Sequence, residues 1–147
     1  MKYVLAFAAL LGGCASVVRP PDSGPVPVPA PLPESSAART ENLAIAGLLD
    51  GARADAAAGR LANAAASLER ALRIEPRNPR LWQELARLRL KQGDYAQAES
   101  TAARSNSWAG SDNALRAENW RLIAHAREAR GDAEGARAAL DAAERQR

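Results

Sequence analysis

Side chains that could carry covalent or metal chemistry are scarce in this sequence. Of its 147 residues, one is a cysteine, Cys14, and one is a histidine, His125. A single cysteine cannot close a disulfide within the chain, and one cysteine with one histidine is too few for a zinc cage. Cys14 is therefore either an incidental thiol or the target of some other chemistry.

No catalytic signature accompanies these two residues. The sequence contains no GxSxG or HExxH motif and no phosphate-binding glycine loop. Its carboxylates are spread along predicted helices, where Glu69 precedes Arg73 and Glu84 precedes Arg87. Such spacing is typical of surface ion pairs. We therefore predict a protein that is not an enzyme, with no catalytic residue, no metal site and no cofactor.

The stretch before Cys14 has the features of an export signal. Lys2 gives it a positive start, and residues 3–11 form an apolar run. That run is too short to cross a bilayer as a helix, which takes about 20 apolar residues. A positive start, a short apolar run and small residues at its end are typical of a secretory signal peptide.

The end of this signal, LGGC, resembles the bacterial lipobox, in which an aliphatic residue and two small ones precede a cysteine. In that family the signal, here residues 1–13, is removed and the cysteine receives a thioether-linked diacylglycerol and an N-acyl chain, which together anchor stably. The residue after the cysteine is Ala15 and not aspartate. In this respect the sequence resembles lipoproteins that are sent to the outer membrane. The resemblance implies lipidation of Cys14 and an outer-membrane location facing the periplasm. The alternative is a secreted protein with a chance cysteine.

A proline-rich segment follows the cysteine. Seven of the nine prolines lie between Pro20 and Pro33, where each removes a backbone donor and disfavours helix at the preceding residue. We predict a disordered, extended tether over residues 14–42, rising roughly 3.1 Å per residue where proline is dense. It would hold a folded domain away from the membrane. Recognition of a PxxP sequence by a groove is the alternative.

The composition of the remaining chain favours an all-α fold. Hydrophobic residues make up 47% of the sequence but aromatic ones only 4%, so alanine and leucine must build the core of closely packed helices. Residues that favour strands form no alternating run after residue 30. The net charge of +3 comes from arginines interspersed with acidic residues, which argues against a nucleic-acid partner.

An internal repeat organises the helical part of the chain. Gly59, Gly93 and Gly131 each follow one helical run and precede another, and they are spaced by 34 and 38 residues. A glycine in this place is typical of the left-handed turn that ends one helix before an antiparallel partner. The spacing therefore predicts helix–turn–helix units.

The period and residue types resemble the tetratricopeptide repeat, over residues 43–147. The matching residues in the middle repeat are Trp82, Leu85, Ala86, Gly93, Tyr95 and Ala98. Those in the first repeat are Leu48, Gly59, Leu61, Ala64, Leu68, Ala71 and Pro76. Those in the third are Trp120, Ile123, Ala124, Gly131, Ala136, Leu140 and Ala143. The resemblance implies about three repeats in a short right-handed solenoid, with Trp82 and Trp120 packed in its core.

The segment SNSWAGSDN, residues 105–113, departs from the repeat pattern by an insertion. Gly110, Ser111 and Asp112 should break the helix, and Ser111 or Asp112 can cap the next one. Trp108 lies beside this break. We favour its packing into the third repeat over its exposure as a contact residue.

Tetratricopeptide domains present a groove lined by the first helix of each repeat, and the resemblance places several polar residues there. Position 9 of the three repeats is Arg53, Arg87 and His125, which should form one row. Gln83 and Arg121 share position 5, and Arg80 lies near them. Arginine forks suit the carboxylates of a partner segment. The alternative is a set of ordinary solvated positions.

The whole arrangement resembles the outer-membrane lipoproteins of the LpoP type, which activate bifunctional class A penicillin-binding proteins. Two sequence segments carry the resemblance, LWQELARLRLKQGDYAQAE and NWRLIAHAREARGD. It implies a lipid-anchored, monomeric adaptor whose protein partner is a class A penicillin-binding protein in peptidoglycan synthesis. The alternative is a pilotin-like lipoprotein, or another outer-membrane assembly lipoprotein, in pilus or secretin biogenesis.

Overall fold

The computed structural model describes residues 36–146 of the chain. Cys14, the predicted signal peptide and residues 14–35 of the predicted tether lie outside these residues, whereas residues 36–42, also predicted as tether, are helical. Within them the chain forms six helices and no strand, which confirms the all-α prediction. The helices are α1 (Ser36–Ala57), α2 (Leu61–Ile74), α3 (Pro79–Gln92), α4 (Tyr95–Trp108), α5 (Asn113–Ala129) and α6 (Ala133–Glu144). None of these helices is both long enough and apolar enough to cross a membrane.

The helices pair as three helix–turn–helix repeats, as the sequence predicts. α1 packs on α2, α3 on α4 and α5 on α6, while α2 with α3 and α4 with α5 join successive repeats. The repeat glycines Gly59, Gly93 and Gly131 have φ of 76°, 80° and 81°. This left-handed backbone carries no penalty in glycine, and the Gly93 N–H bonds back to the carbonyls of Arg89 and Leu90.

Asparagine and two prolines connect the first repeat to the second. The side-chain oxygen of Asn78 accepts hydrogen bonds from the backbone N–H groups of Arg80 and Leu81, at 3.0 and 3.3 Å. Pro79 occupies the first turn of α3, where its missing N–H costs nothing. The indole N–H of Trp82 donates to the carbonyl of Pro76 at 2.8 Å, which fixes the loop against α3.

Two clusters of small and aliphatic side chains form the core. The first lies among α1, α2 and α3 around Leu68, Leu81 and Leu85. The second lies among α3, α4, α5 and α6, and its six buried residues are four alanines, Leu122 and Ile123. Trp82 packs half-buried against the first cluster and Trp120 against the second, so their predicted packing role is confirmed.

The insertion between the second and third repeats breaks the helix where the sequence predicts. α4 ends at Trp108 and α5 begins at Asn113. Gly110 has a φ of 53°, and the carboxylate of Asp112 accepts a hydrogen bond from the Leu115 N–H at 3.0 Å. Of the two candidate caps, Asp112 is therefore the one that caps α5.

Candidate functional site

Two members of the predicted row, Arg53 and Arg87, share one carboxylate, that of Glu84. The Arg53 guanidinium lies 3.4 Å from the Glu84 carboxylate, which is 3.7 Å from Arg87. Arg87 also pairs with Glu118 at 3.3 Å, and Glu118 pairs with Arg121 at 3.1 Å. These five side chains, from α1, α3 and α5, form what we call the arginine–carboxylate ladder.

The ion pairs of the ladder limit how its arginines can bind the carboxylates of a partner. Because each guanidinium faces a carboxylate of the same chain, a partner carboxylate would have to compete with Glu84 or Glu118. The ladder lies at the surface with its side chains partly exposed, and surface ion pairs contribute about 0.2–1 kcal/mol each, so partner groups can exchange with them at little cost. The sequence indicated Glu84 only as a local pair and missed Glu118, although its spacing to Arg121 is the same i,i+3 signal.

One ion pair that the sequence spacing suggested is not formed in the structure. Glu69 does not pair with Arg73 on its own helix but with Arg89 of α3, at 2.9 Å. Arg89 also lies 3.7 Å from Asp94. The neighbouring helix supplies a guanidinium that is better placed than the one four residues along α2.

An open cleft of about 470 Å³ lies beside the ladder, between α1, α2 and α3. We call it the α1–α3 cleft. Its apolar lining comes from Leu49, Ala52, Ala56, Ala57, Ala64, Leu68 and Leu88. Its charged lining comes from Arg53, Glu84, Arg87 and Lys91. Lys91 is exposed and forms no ion pair within residues 36–146, so the cleft carries an excess of positive charge.

Gln83, predicted to contact a partner, is only 8% exposed and is engaged inside the protein. Its amide donates to the Asn119 side-chain oxygen at 3.0 Å and to the Leu115 carbonyl at 3.4 Å. Asn119 in turn donates to Ser105 at 2.7 Å, and the Ser105 hydroxyl donates to the Pro79 carbonyl at 2.7 Å. This buried polar network holds α3, α4 and α5 together.

The remaining predicted groove residues do not belong to the ladder. Arg80 pairs with Asp112 across the start of α3 and α5, at 3.1 Å. His125 is exposed on α5, two turns from the Glu118 carboxylate that the ladder uses. Within residues 36–146 no group of three histidine, cysteine or acidic side chains is arranged to hold a metal ion.

The expected packing of Trp108 into the third repeat is wrong. Trp108 is 39% exposed, and the guanidinium carbon of Arg77 lies 5.2 Å from its ring centroid. Trp108 is the last residue of α4 and faces the α2–α3 loop, so an arginine from that loop covers it instead of α5.

Comparison with known proteins agrees with the helical repeats. A family model described as the tetratricopeptide repeat matches residues 55–117, so the protein is of the tetratricopeptide-repeat class. A solved structure, that of the globular C-terminal domain of P. aeruginosa LpoP, is 48% identical over 68% of this chain and 94% of that one, with a TM-score of 0.67. The chain belongs to the LpoP family of tetratricopeptide-repeat proteins. No curated protein sequence matches it.

Proposed function

We propose that this protein is a lipid-anchored periplasmic adaptor, without catalytic activity, that binds a protein partner at the α1–α3 cleft. The observation that supports this most directly is the cleft itself. Its apolar lining can receive a side chain from a partner, and Arg53 and Lys91 beside it favour a segment that carries carboxylates. Tetratricopeptide domains commonly serve as protein-interaction modules, and the family membership supports the same role.

The partner that we propose is a bifunctional class A penicillin-binding protein, whose peptidoglycan synthesis the adaptor would activate. The support is the family resemblance, since lipoproteins of the LpoP type activate such enzymes. An adaptor that binds the active conformation of the synthase more tightly than the inactive one shifts the population toward the active one. The outer-membrane anchor at Cys14 and the tether between Cys14 and α1 belong to the same proposal, because they would let the domain reach through the cell-wall layer.

Capture of the purified class A penicillin-binding protein by the full-length chain tests this function. We expect the double variant Arg53→Glu, Arg87→Glu to lose binding by about tenfold, because it removes both cleft arginines and repels a carboxylate-bearing segment. Ala56→Phe, which fills the apolar cleft without changing charge, should lose binding to a similar extent. Arg137→Glu with Arg145→Glu is the control, because it makes the same charge change at exposed positions on and after α6.

Unchanged binding by both cleft variants would exclude the cleft as the docking site. Crosslinking of the mature lipoprotein in cells separates the partner classes. Recovery of a secretin in place of a glycosyltransferase–transpeptidase would support the pilotin-like alternative and contradict the proposed partner.

A further inference from the structure

Two arginines on the surface are stacked on tryptophans and have no acidic partner. The guanidinium carbon of Arg77 lies 5.2 Å from the Trp108 ring centroid, and that of Arg104 lies 5.1 Å from the Trp82 centroid. Neither arginine forms an ion pair within residues 36–146, whereas every arginine of the ladder does. This contrast singles out a second cationic surface on the domain.

The two stacks belong to one continuous surface, which we call the arginine–tryptophan edge. The Trp82 indole N–H donates to the carbonyl of Pro76, the residue next to Arg77, and so joins the two stacks. Ile74, which is 38% exposed, borders the same loop. The edge consists of Ile74, Pro76, Arg77, Trp82, Arg104 and Trp108. None of these residues lines the α1–α3 cleft.

Stacking prepares these arginines to bind carboxylates. A guanidinium that lies over an indole ring is held in place by cation–π attraction, while its N–H groups can still donate to a carboxylate. Each arginine side chain has then already lost part of its conformational entropy in the free protein. Binding of a carboxylate therefore costs less side-chain entropy than it would at a mobile arginine. The exposed atoms of Ile74 and Trp108 add apolar contact beside the two forks.

We propose that the arginine–tryptophan edge is a second docking surface, which binds an acidic polypeptide segment bearing apolar side chains. Charge complementarity is the argument for this occupant, because Arg70 and Arg73 nearby also form no ion pair within the described residues. The hollow along Ile74–Arg80, about 610 Å³, is of a size that holds a few side chains. A bilayer is the less suitable ligand, since membrane insertion needs a broader apolar face than Ile74 and Trp108 provide.

Binding of a short fluorescein-labelled oligoglutamate peptide to the full-length chain in detergent, followed by anisotropy, tests the proposal without any knowledge of the natural partner. We expect Arg77→Glu with Arg104→Glu to weaken binding by about tenfold. The control, Arg137→Glu with Arg145→Glu, should weaken it much less, although it changes the net charge equally.

A charge-conserving pair of variants tests the role of stacking. Arg77→Lys with Arg104→Lys keeps both charges but loses the planar fork, so binding should fall by about threefold, while Arg137→Lys with Arg145→Lys should bind as the unaltered chain does. Equal losses in the edge and control variants would overturn the proposal, and so would full binding by the lysine variant. Binding to phosphatidylglycerol-containing vesicles without binding to oligoglutamate would also overturn it, in favour of a lipid ligand. This experiment uses a peptide in place of the penicillin-binding protein. A negative result would therefore not bear on the capture experiment that tests binding of that enzyme at the α1–α3 cleft.

Discussion

At the scale of single residues, the polar side chains that matter most for the fold are buried. Asn119 is fully buried at the centre of the polar network, where it accepts from Gln83 and donates to Ser105 and Asn106. Ser105 stands where the first and third repeats have Ala71 and Ala143, and its hydroxyl donates to a carbonyl at the start of α3. A buried network whose members satisfy one another can specify how neighbouring helices pack.

Removal of Asn119 should therefore be costly. We expect Asn119→Ala to lower the free energy of unfolding by about 2–4 kcal/mol, because the amide of Gln83 and the hydroxyl of Ser105 each lose a buried partner. Urea denaturation measures this loss. Asn63→Ala, at an exposed position of α2, is the matched control and should change stability by less than about 0.5 kcal/mol. A similar small change for both variants would contradict the structural role of the network.

At the scale of the helices, glycines at helix ends and glycines inside helices should have opposite effects on the stability of the domain. Gly93 ends α3 with a φ of 80°, whereas Gly51 lies inside α1 with ordinary helical geometry. A Cβ atom added at either position would meet no atom within 4 Å. The two sites therefore differ in backbone conformation and not in available space.

This difference gives a prediction with two signs. Gly93→Ala should destabilise the domain by about 1–2 kcal/mol, because a left-handed backbone strains any residue with a Cβ. Gly51→Ala should stabilise it by about 0.5–1 kcal/mol, because alanine has the higher helix propensity. Thermal unfolding of the two variants measures both effects, and an unchanged or raised stability of Gly93→Ala would show that the turn does not depend on the glycine conformation.

At the scale of the whole molecule, two sets of surface arginines differ in the groups that they face. Those of the ladder face carboxylates from neighbouring helices, while those of the arginine–tryptophan edge face indole rings. Since paired charges attract a ligand less strongly than unpaired ones, the two surfaces should select partner segments of different character. The cleft offers mainly apolar contact, and the edge offers mainly charge.

The proposed anchor is also tested on the whole molecule. We expect Cys14→Ala to abolish metabolic labelling with palmitate and to release the protein from the membrane fraction, because no other residue would then carry the lipid chains. Membrane fractionation after cell lysis measures the release, and Ala15→Ser provides a control next to the same residue. Undiminished labelling of the Cys14→Ala chain would rule out the anchor at this position.

The sequence by itself determined the helices, their turns and the repeat. Glycine spacing and the candidate caps Ser111 and Asp112 before α5 act within a few residues, so their consequences are visible in the order of the letters. The resemblance to the tetratricopeptide repeat likewise implied that Trp82 and Trp120 pack in the core. From these local signals the repeat class followed, and with it the helices on which the cleft would form.

Only the tertiary structure decided which side chains meet. Arg87 pairs with Glu118 and Gln83 binds Asn119 across more than 30 residues of sequence, because these contacts depend on how α3 and α5 lie against each other. The same packing made Gln83 internal and left Trp108 exposed beneath Arg77, against expectation. Local spacing fixes the direction of a side chain on its own helix, but the neighbouring helices determine what that side chain touches.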